Sequence, residues 1–208
     1  MTALSPKRAD ITTYTRVCLN LPDDEFVFSG FSESAESPDL IKNMEIRLAN
    51  TGDLPEILAI YAHARSFMAE HGNPNQWNDG YPDEELLIGD IENERLFLVM
   101  EGGIAAGVFM FFIGDEPTYQ IIREGSWPNA LPYGTIHRIA SSGKFRGVFA
   151  AALGFCLERT DTIRIDTHRD NLPMQSCLLK HGFRRCGIID VRNGERIAYQ
   201  LTNTTAPY

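Results

Sequence analysis

The sequence has no long apolar run. None of its hydrophobic stretches approaches the roughly 18 consecutive apolar residues that a membrane-spanning helix needs. The first residues, MTALSPKRADITTYTRVCLN, also lack the compact apolar segment and cleavage site of a secretory signal. We therefore expect a cytoplasmic protein with no membrane partner.

Patterns for binding metal or forming disulfides are missing as well. The five histidines show neither HxH nor HExxH spacing, so we predict no metal site. The cysteines are few and include no CxxC pair, so we expect reduced thiols that mostly pack as small hydrophobic side chains. They are Cys18, Cys156, Cys177 and Cys186.

Positive charge is scarce. Lysine and arginine number 19 against 28 acidic residues, which gives a formal net charge of −9. Nucleic acid and acidic membranes attract broad cationic surfaces, so neither is an expected partner, although a local basic pocket is compatible with this charge. With 208 residues, of which 43% are hydrophobic, the chain can build one globular domain with a sizeable core.

The composition changes near residue 44. The stretch FSGFSESAESPDL before it is rich in serine and acidic residues, which is typical of a flexible arm. After it, MEIRLAN alternates apolar and polar residues as a strand does. We predict that residues 1–43 are a flexible or loosely attached extension, dispensable for folding, and that residues 44–208 form the domain.

Hydrophobic periodicity and turn residues predict the element order β-α-α-β-β-β-α-β-α-β-β. Gly102 and Gly103 separate the strand-like stretches RLFLVMEGG and IAAGVFMFFIG, and RNG separates CGIIDV from RIAYQL, so both pairs are predicted hairpins. The segment EPTYQIIREGSWP is ambiguous, with some strand character. Strands that alternate partly with helices and partly with hairpins predict a mixed α/β sheet.

One short stretch carries a chemical signal. In GKFRGVFAAAL, two glycines and two cations precede a helix-like apolar run. A helix N-terminus has unpaired backbone N–H groups and partial positive charge, and glycine lets a phosphate approach closely. The stretch therefore predicts an anion-binding helix start, although the same pattern also serves as a plain turn before a core helix.

The surroundings of this loop resemble the GCN5-related N-acetyltransferase (GNAT) superfamily. That family has a Q/R-x-x-G-x-G/A loop that binds the pyrophosphate of acetyl-CoA, and KFRGVF resembles it with Lys144 first and Gly147 fourth. The family's second motif, N-x-x-A-x-x-x-Y-x-x-x-G-F, resembles NLPMQSCLLKHGF, with Asn171, Gly182 and Phe183 in register. The resemblance covers nearly all of the predicted domain and implies acetyl transfer from acetyl-CoA.

Three positions depart from these motifs. Lys144 replaces glutamine or arginine and would contact phosphate as a point charge. Phe149 stands where glycine or alanine is usual. Leu178 stands where many members carry the tyrosine that protonates the departing CoA thiolate, so that proton would come from water or from another side chain. Candidates for the missing donor are Ser176, Cys177 and Tyr199.

The loop can also be placed in a second register. With Arg146 at the first position, Phe149 falls fourth and Ala151 sixth. We prefer the first register because it aligns the apolar positions of the helix better.

The resemblance implies a fold and a cofactor site. It implies a mixed, mostly antiparallel sheet flanked by helices, in which two parallel strands, TIHRIA and TIRIDTH, splay apart and receive acetyl-CoA. A backbone N–H near Ile139 would polarise the thioester carbonyl, and Asn171 would hydrogen-bond the pantetheine arm. The implied cofactor contacts are Ile139, Ala140, Ser141, Lys144, Phe145, Arg146, Gly147, Val148, Phe149 and Asn171.

The same resemblance suggests residues for the acceptor side. The acceptor amine must attack as the free base, and His137 on the splayed strand is the first candidate for the general base, because imidazole titrates near neutral pH. Asp166 and His168 lie two residues apart on one strand face, where they would form an oriented pair or line the acceptor site. Trp77 and Tyr81 would flank a small amine, and for all five residues a purely structural role is also compatible with the sequence. Three arginines could receive an acidic acceptor, although solvation at the surface is the commoner role of such residues: Arg138, Arg164 and Arg169.

Three functions are compatible with these patterns. The leading one is an N-acetyltransferase that moves an acetyl group from acetyl-CoA to a primary amine of a small molecule, amino acid or protein in a ternary complex. The alternative is a non-catalytic acyl-CoA-binding regulatory protein, which Phe149 and Leu178 motivate. The third is a nucleotide-binding domain of another fold, which would require a mostly parallel sheet. A homodimer is compatible with the first, since dimers are common in the family.

Overall fold

The computed structural model describes residues 44–203, so the predicted extension over residues 1–43 lies outside the described residues. The element order within them is the predicted one. The strands are β1 (Met44–Leu48), β2 (Leu96–Glu101), β3 (Ile104–Ile113), β4 (Gly134–Ser141), β5 (Thr162–Thr167), β6 (Arg184–Val191) and β7 (Gly194–Thr202). The α-helices are α1 (Leu54–Glu70), α2 (Glu84–Glu92), α3 (Val148–Leu157) and α4 (Leu172–Lys180).

The seven strands form one sheet in the order β1-β2-β3-β4-β5-β7-β6. Every neighbouring pair is antiparallel except β4 and β5, which run parallel. The predicted mixed, mostly antiparallel sheet is therefore confirmed. A nucleotide-binding domain built on a mostly parallel sheet is excluded.

Glycine turns close the two predicted hairpins. Gly102 and Gly103 join β2 to β3 with φ values of 56° and 82°, and a two-residue hairpin turn with positive φ at both positions favours glycine. At the other hairpin, Gly194 follows the turn with a φ of 103°. The ambiguous segment before β4 forms a short 3-10 turn, Pro117–Tyr119, and contributes a single antiparallel bridge to the edge of β6.

Helix α1 shows how local chemistry sets an element boundary. Asp53 directly precedes the helix, but its carboxylate accepts no helix N–H and instead pairs with Arg47 at 2.7 Å. Asn50 caps the 3-10 turn just before it, in a reciprocal capping box with Asp53. Gly72, with a left-handed φ of 82°, follows the end of the helix.

The sheet is buried on both faces. Helices α3 and α4 cover one face, where Phe109, Ile136 and Ile163 belong to the largest core cluster. Helices α1 and α2 cover β2 and β3 on the other face through residues such as Ile57 and Leu87. A third cluster, formed by Tyr119, Tyr133, Ile189 and Ala198, packs the long β3–β4 connection onto β6 and β7. Among the described helices, none is long and apolar enough to cross a membrane.

Candidate functional site

Strands β4 and β5 separate soon after they meet. Their only paired residues within the described chain are Gly134 with Ile163 and Thr135 with Arg164. Beyond these two pairs, residues 136–141 of β4 have no partner on β5, so the sheet opens toward the carboxyl ends of both strands. A cleft between two splayed parallel strands is the feature that the resemblance implied.

Strand β4 carries a bulge inside this opening. The register against β3 shifts so that Arg138 and Ile139 together lie opposite Phe109. Arg138 also has a φ of 50°, a left-handed value that is uncommon for a residue other than glycine. A bulge leaves one residue outside the regular ladder. Backbone polar groups are therefore re-aimed at the position where the sequence predicted a thioester contact.

Gly147 begins helix α3 next to the opening. It adopts a φ of 83° as the N-cap, and no side chain caps the helix there. The N–H groups of Val148 and Phe149 therefore have no acceptor inside the helix. At the other end of the loop, Gly143 has a φ of 76°, and the exposed His63 ring of α1 lies against it, so close that a Cβ would come within 2.4 Å of Nε2.

This geometry favours the register that starts at Lys144. The two registers place Gly147 or Phe149 at the fourth position, where the motif requires glycine. Of these two residues, Gly147 has the left-handed backbone at the helix start. Lys144 and Arg146 are exposed on either side of Phe145, whose ring packs partly into the core. The loop thus combines two exposed cations with a helix N-terminus, a combination suited to a phosphate.

The ring of Phe149 turns away from the helix start. It makes an edge contact with His181 at a centroid distance of 4.9 Å and lies 6.2 Å from the Phe183 ring, against the main core cluster. Only its backbone N–H belongs to the loop. The phenylalanine at the sixth motif position therefore contributes its ring to core packing and does not fill the space in front of the helix N-terminus.

A cluster of polar side chains lies beside the opening. His137 Nε2 is 3.2 Å from Glu116 Oε2, and its Nδ1 is 3.6 Å from Asp166 Oδ1, which is too long for a direct hydrogen bond. The Tyr119 hydroxyl donates to that same Asp166 oxygen at 2.7 Å. Two strands and the β3–β4 connection thus meet at one imidazole.

Glu116 is held in its ionised form. Burial alone would raise its pKa, but hydrogen bonds from His137 and Thr118 outweigh that effect and lower the pKa from 4.5 to about 2. A depressed pKa stabilises the folded state above the ordinary pKa, so this contribution is complete above about pH 4.5 and is lost as the pH falls toward 2. Burial and the neighbouring Asp166 raise the pKa of Tyr119, which keeps its hydroxyl a hydrogen-bond donor.

Two of the three candidate arginines are buried, so their expected placement as solvated surface cations is wrong. Arg138 pairs with Asp90 beneath the helices, and both side chains are about nine-tenths buried. Arg164 lies over the Trp127 and Tyr133 rings at 4.1 and 3.8 Å. Arg169 is solvent-exposed as expected and bridges to a carboxylate at 2.7 Å.

The loop over residues 71–82, called the acceptor loop because it carries the predicted acceptor contacts Trp77 and Tyr81, covers the same face of the sheet. Trp77 makes an edge contact with Tyr61 at 5.5 Å, which anchors the loop on the core. The Tyr81 hydroxyl accepts a hydrogen bond from Arg138 at 3.3 Å. Asn171 caps α4 through Oδ1 and donates from Nδ2 to Gln76 in this loop at 2.9 Å, so its amide already has partners.

Asp166 and His168 have separate partners and form no hydrogen bond with each other. Asp166 belongs to the cluster with His137, whereas His168 Nδ1 accepts from the backbone N–H of Asp170 at 3.2 Å. Burial lowers the pKa of His168, and the nearby Arg196 adds to this effect. The oriented-pair interpretation is therefore wrong, and both residues stay candidates for lining the acceptor site.

Leu178 is fully buried in the main core cluster. Its position in the second motif is thus used for packing, and the sequence-based donor candidate Tyr199 is buried in the same cluster.

We expect Leu178→Ala to lower the free energy of unfolding by about 2–5 kcal/mol in urea denaturation, because it removes core contacts and leaves a cavity. Leu179→Ala, at a position that is 56% exposed, is the control and should change it by less than about 0.5 kcal/mol. Equal effects would mean that Leu178 is not a core residue.

A sheet that opens between two parallel strands, beside a glycine-started helix, defines the acyl-CoA N-acyltransferase fold. The structure is similar to an acetyltransferase of the GNAT family from Streptococcus agalactiae, with 34% identity, a TM-score of 0.70, and coverage of 76% of this chain and 95% of that one. The chain therefore belongs to the GNAT acetyltransferase family.

More distant structures share the fold alone. The ribosomal-protein-alanine N-acetyltransferase from Brucella melitensis is 18% identical with a TM-score of 0.52, over 76% of this chain and 99% of that one. The protein yncA from Salmonella typhimurium, solved with its cofactor acetyl-CoA, is 17% identical with a TM-score of 0.52, over 80% and 97%. Neither protein-family models nor curated proteins gave a match.

Proposed function

We propose that this protein is an N-acetyltransferase that uses acetyl-CoA to acetylate a primary amine in a ternary complex. The proposal rests on two features that lie side by side in this GNAT-family chain. The first is the β4–β5 opening with the left-handed Gly147 at the start of α3, and the second is the polar cluster around His137. The first suits a phosphate-bearing thioester and the second suits proton transfer.

The residues at the opening fit acetyl-CoA. The N–H groups of Val148 and Phe149 would hold its pyrophosphate, with Lys144 and Arg146 adding charge. The bulge at Arg138 and Ile139 would turn a backbone N–H toward the thioester carbonyl. When bound, acetyl-CoA supplies an activated acetyl group. Ile139, Ala140, Ser141 and Asn171 remain predicted contacts of its pantetheine arm.

His137 is the proposed general base, oriented by Glu116. If Nε2 carries the proton and donates to ionised Glu116, the lone pair of the imidazole is at Nδ1. The 3.6 Å between Nδ1 and Asp166 Oδ1 leaves room for a donor that contacts both atoms. An acceptor ammonium would bind there, give its proton to Nδ1 and become the attacking amine. Leu178 supplies no proton and Tyr199 is buried in the core, so Ser176, Cys177, water and protonated His137 are the proposed sources of the proton for the leaving thiolate.

Release of free CoA thiol, followed with a chromogenic disulfide, tests this proposal on a panel of amines. Turnover that depends on an added amine would support it. Acetyl-CoA binding by calorimetry without turnover on any amine would favour the alternative, a non-catalytic acyl-CoA-binding regulatory protein. A chain that does not bind acetyl-CoA would contradict both.

Phe149 offers a test of the loop itself. We expect Phe149→Ala to leave the Kd of acetyl-CoA within about threefold, because the ring contacts His181 and Phe183 and only the backbone N–H faces the proposed phosphate site. Stability should fall by roughly 1–3 kcal/mol, since the ring is only partly buried. Calorimetry and urea denaturation measure the two quantities. A large loss of affinity with unchanged stability would place the ring at the cofactor instead.

A further inference from the structure

Arg196 on β7 is a buried cation on the face of the sheet that holds the His137 cluster. It lies two residues before Ala198, which is paired with Asp166 on β5, so Arg196 and Asp166 point to the same face near the carboxyl end of β5. Burial lowers its pKa, an effect that the nearby Asp166 and Tyr81 oppose, and one guanidinium nitrogen is 3.4 Å from the backbone oxygen of Gln76 in the acceptor loop. Arg196 is therefore enclosed by the elements that surround the proposed acceptor site.

The charge of Arg196 has no counterion in direct contact. The residue is only 5% exposed, yet within residues 44–203 no carboxylate oxygen lies within 4 Å of its guanidinium. Its hydrogen bonds go to the backbone oxygens of Asn193, Glu195 and Gln76 at 2.9–3.4 Å. Arg138, by contrast, is neutralised by Asp90. A buried charge without a partner is costly and is normally paired.

We propose that Arg196 binds the carboxylate of an amino-acid-type acceptor whose ammonium group lies between Asp166 and His137. This inference rests on the proposed acetyltransferase function and narrows its substrate class. The order of charges fits a zwitterion, since Asp166 and Glu116 attract the ammonium and Arg196, farther along the same face, attracts the carboxylate. Guanidinium groups bind carboxylates through paired N–H donors.

A neighbouring cavity offers a competing location for an anion. It has a volume of about 290 Å³ and is lined by Arg169 and Arg185 as well as Arg196, but also by Glu124 and Glu195. Arg169 already pairs with Glu195, and Arg123 pairs with Glu195 as well. That cavity is lined by neither His137 nor Asp166, so an amino acid bound there would not bring its amine to the proposed base, which favours the acceptor face for the carboxylate.

Matched pairs of common L-amino acids and their carboxamides test the proposal in the full chain. We expect the wild-type protein to acetylate at least one free amino acid with a kcat/KM about 30-fold or more above that of its carboxamide. Arg196→Met should remove this preference by lowering the value for the acid alone, and Arg196→Lys should retain part of it. Arg169→Gln is the matched control and should leave the preference unchanged. Calorimetric titration of the preferred amino acid, with CoA present, should show the same pattern in Kd.

Circular dichroism establishes that each variant is folded before its activities on the acid and the amide are compared. An equal loss on acid and amide in Arg196→Met, or a wild type without preference for the acid, would overturn the inference while leaving the acetyltransferase function intact. An equal loss of preference in Arg169→Gln would move the carboxylate into the neighbouring cavity and also overturn it. No turnover on any amine would remove the proposed function itself. Peptide amides that begin with Asp or Asn test whether Arg196 binds a side-chain carboxylate of the acceptor instead of the α-carboxylate of a free amino acid.

Discussion

Gly147→Asp is expected to abolish measurable acetyl-CoA binding while the domain stays folded. Gly147 starts α3 with a φ of 83°, and the N–H groups that follow it form the proposed pyrophosphate site. Two unit charges 4 Å apart interact by about 4 kcal/mol at an effective dielectric constant near 20, so an aspartate against a phosphate should raise Kd by a factor on the order of 10²–10³. The same carboxylate is favourable for the helix N-terminus, which preserves the fold.

Gly147→Asn is the matched control for this effect. Asparagine has nearly the same size as aspartate and, among residues with a side chain, it tolerates left-handed backbone comparatively well, but it carries no charge. We expect its Kd to rise by less than about tenfold, with thermal unfolding close to that of the aspartate variant. Calorimetry with acetyl-CoA measures the difference. Similar affinities for the two variants would show that no phosphate binds at this helix start.

His137→Asn is expected to lower kcat by a factor of about 10²–10⁴, the range typical of general acid–base catalysis. Asparagine can still hydrogen-bond Glu116 but cannot take a proton at neutral pH. Because His137 is proposed to act on the acceptor amine and not to hold the cofactor, the Kd of acetyl-CoA should stay within about threefold.

Glu116→Gln separates the role of the carboxylate from that of the ring. It keeps a hydrogen-bonding group near Nε2 but removes the charge that would stabilise the imidazolium in the proposed mechanism, so we expect a smaller loss of kcat than for His137→Asn. His71→Asn, an exposed histidine after α1, is the control and should leave kcat unchanged. Wild-type turnover in His137→Asn would eliminate His137 as the base.

Much of this fold could be predicted because its signals are local. Strand alternation, helix periodicity and the glycine turns act over a few residues, and they gave the full element order and both hairpins. The loop around Gly147 was also visible, since a left-handed helix start needs glycine in the sequence itself. The segment before β4 was left ambiguous because a 3-10 turn and one bridge leave no periodic pattern.

The polar cluster shows where local signals end. Glu116 precedes His137 by 21 positions in a segment without a motif, and nothing in the sequence indicates that its carboxylate reaches the imidazole. Arg196 lies 30 positions after Asp166, yet strand pairing brings both to one sheet face. The spacing of apolar residues does not identify Glu116 or Arg196, because the proposed role of each depends on contacts with segments that are distant in the sequence.

The elements, their order, the glycine-started helix and the family resemblance can be predicted from the sequence, because each depends on short-range backbone preferences and spacing. The directions of the side chains depend instead on tertiary packing. It directed the Phe149 ring into the core, buried Arg138 against Asp90, placed Leu178 in the packed interior and surrounded His137 with two carboxylates. These outcomes depend on burial and on charge pairing between distant segments, which exist only once the sheet has formed.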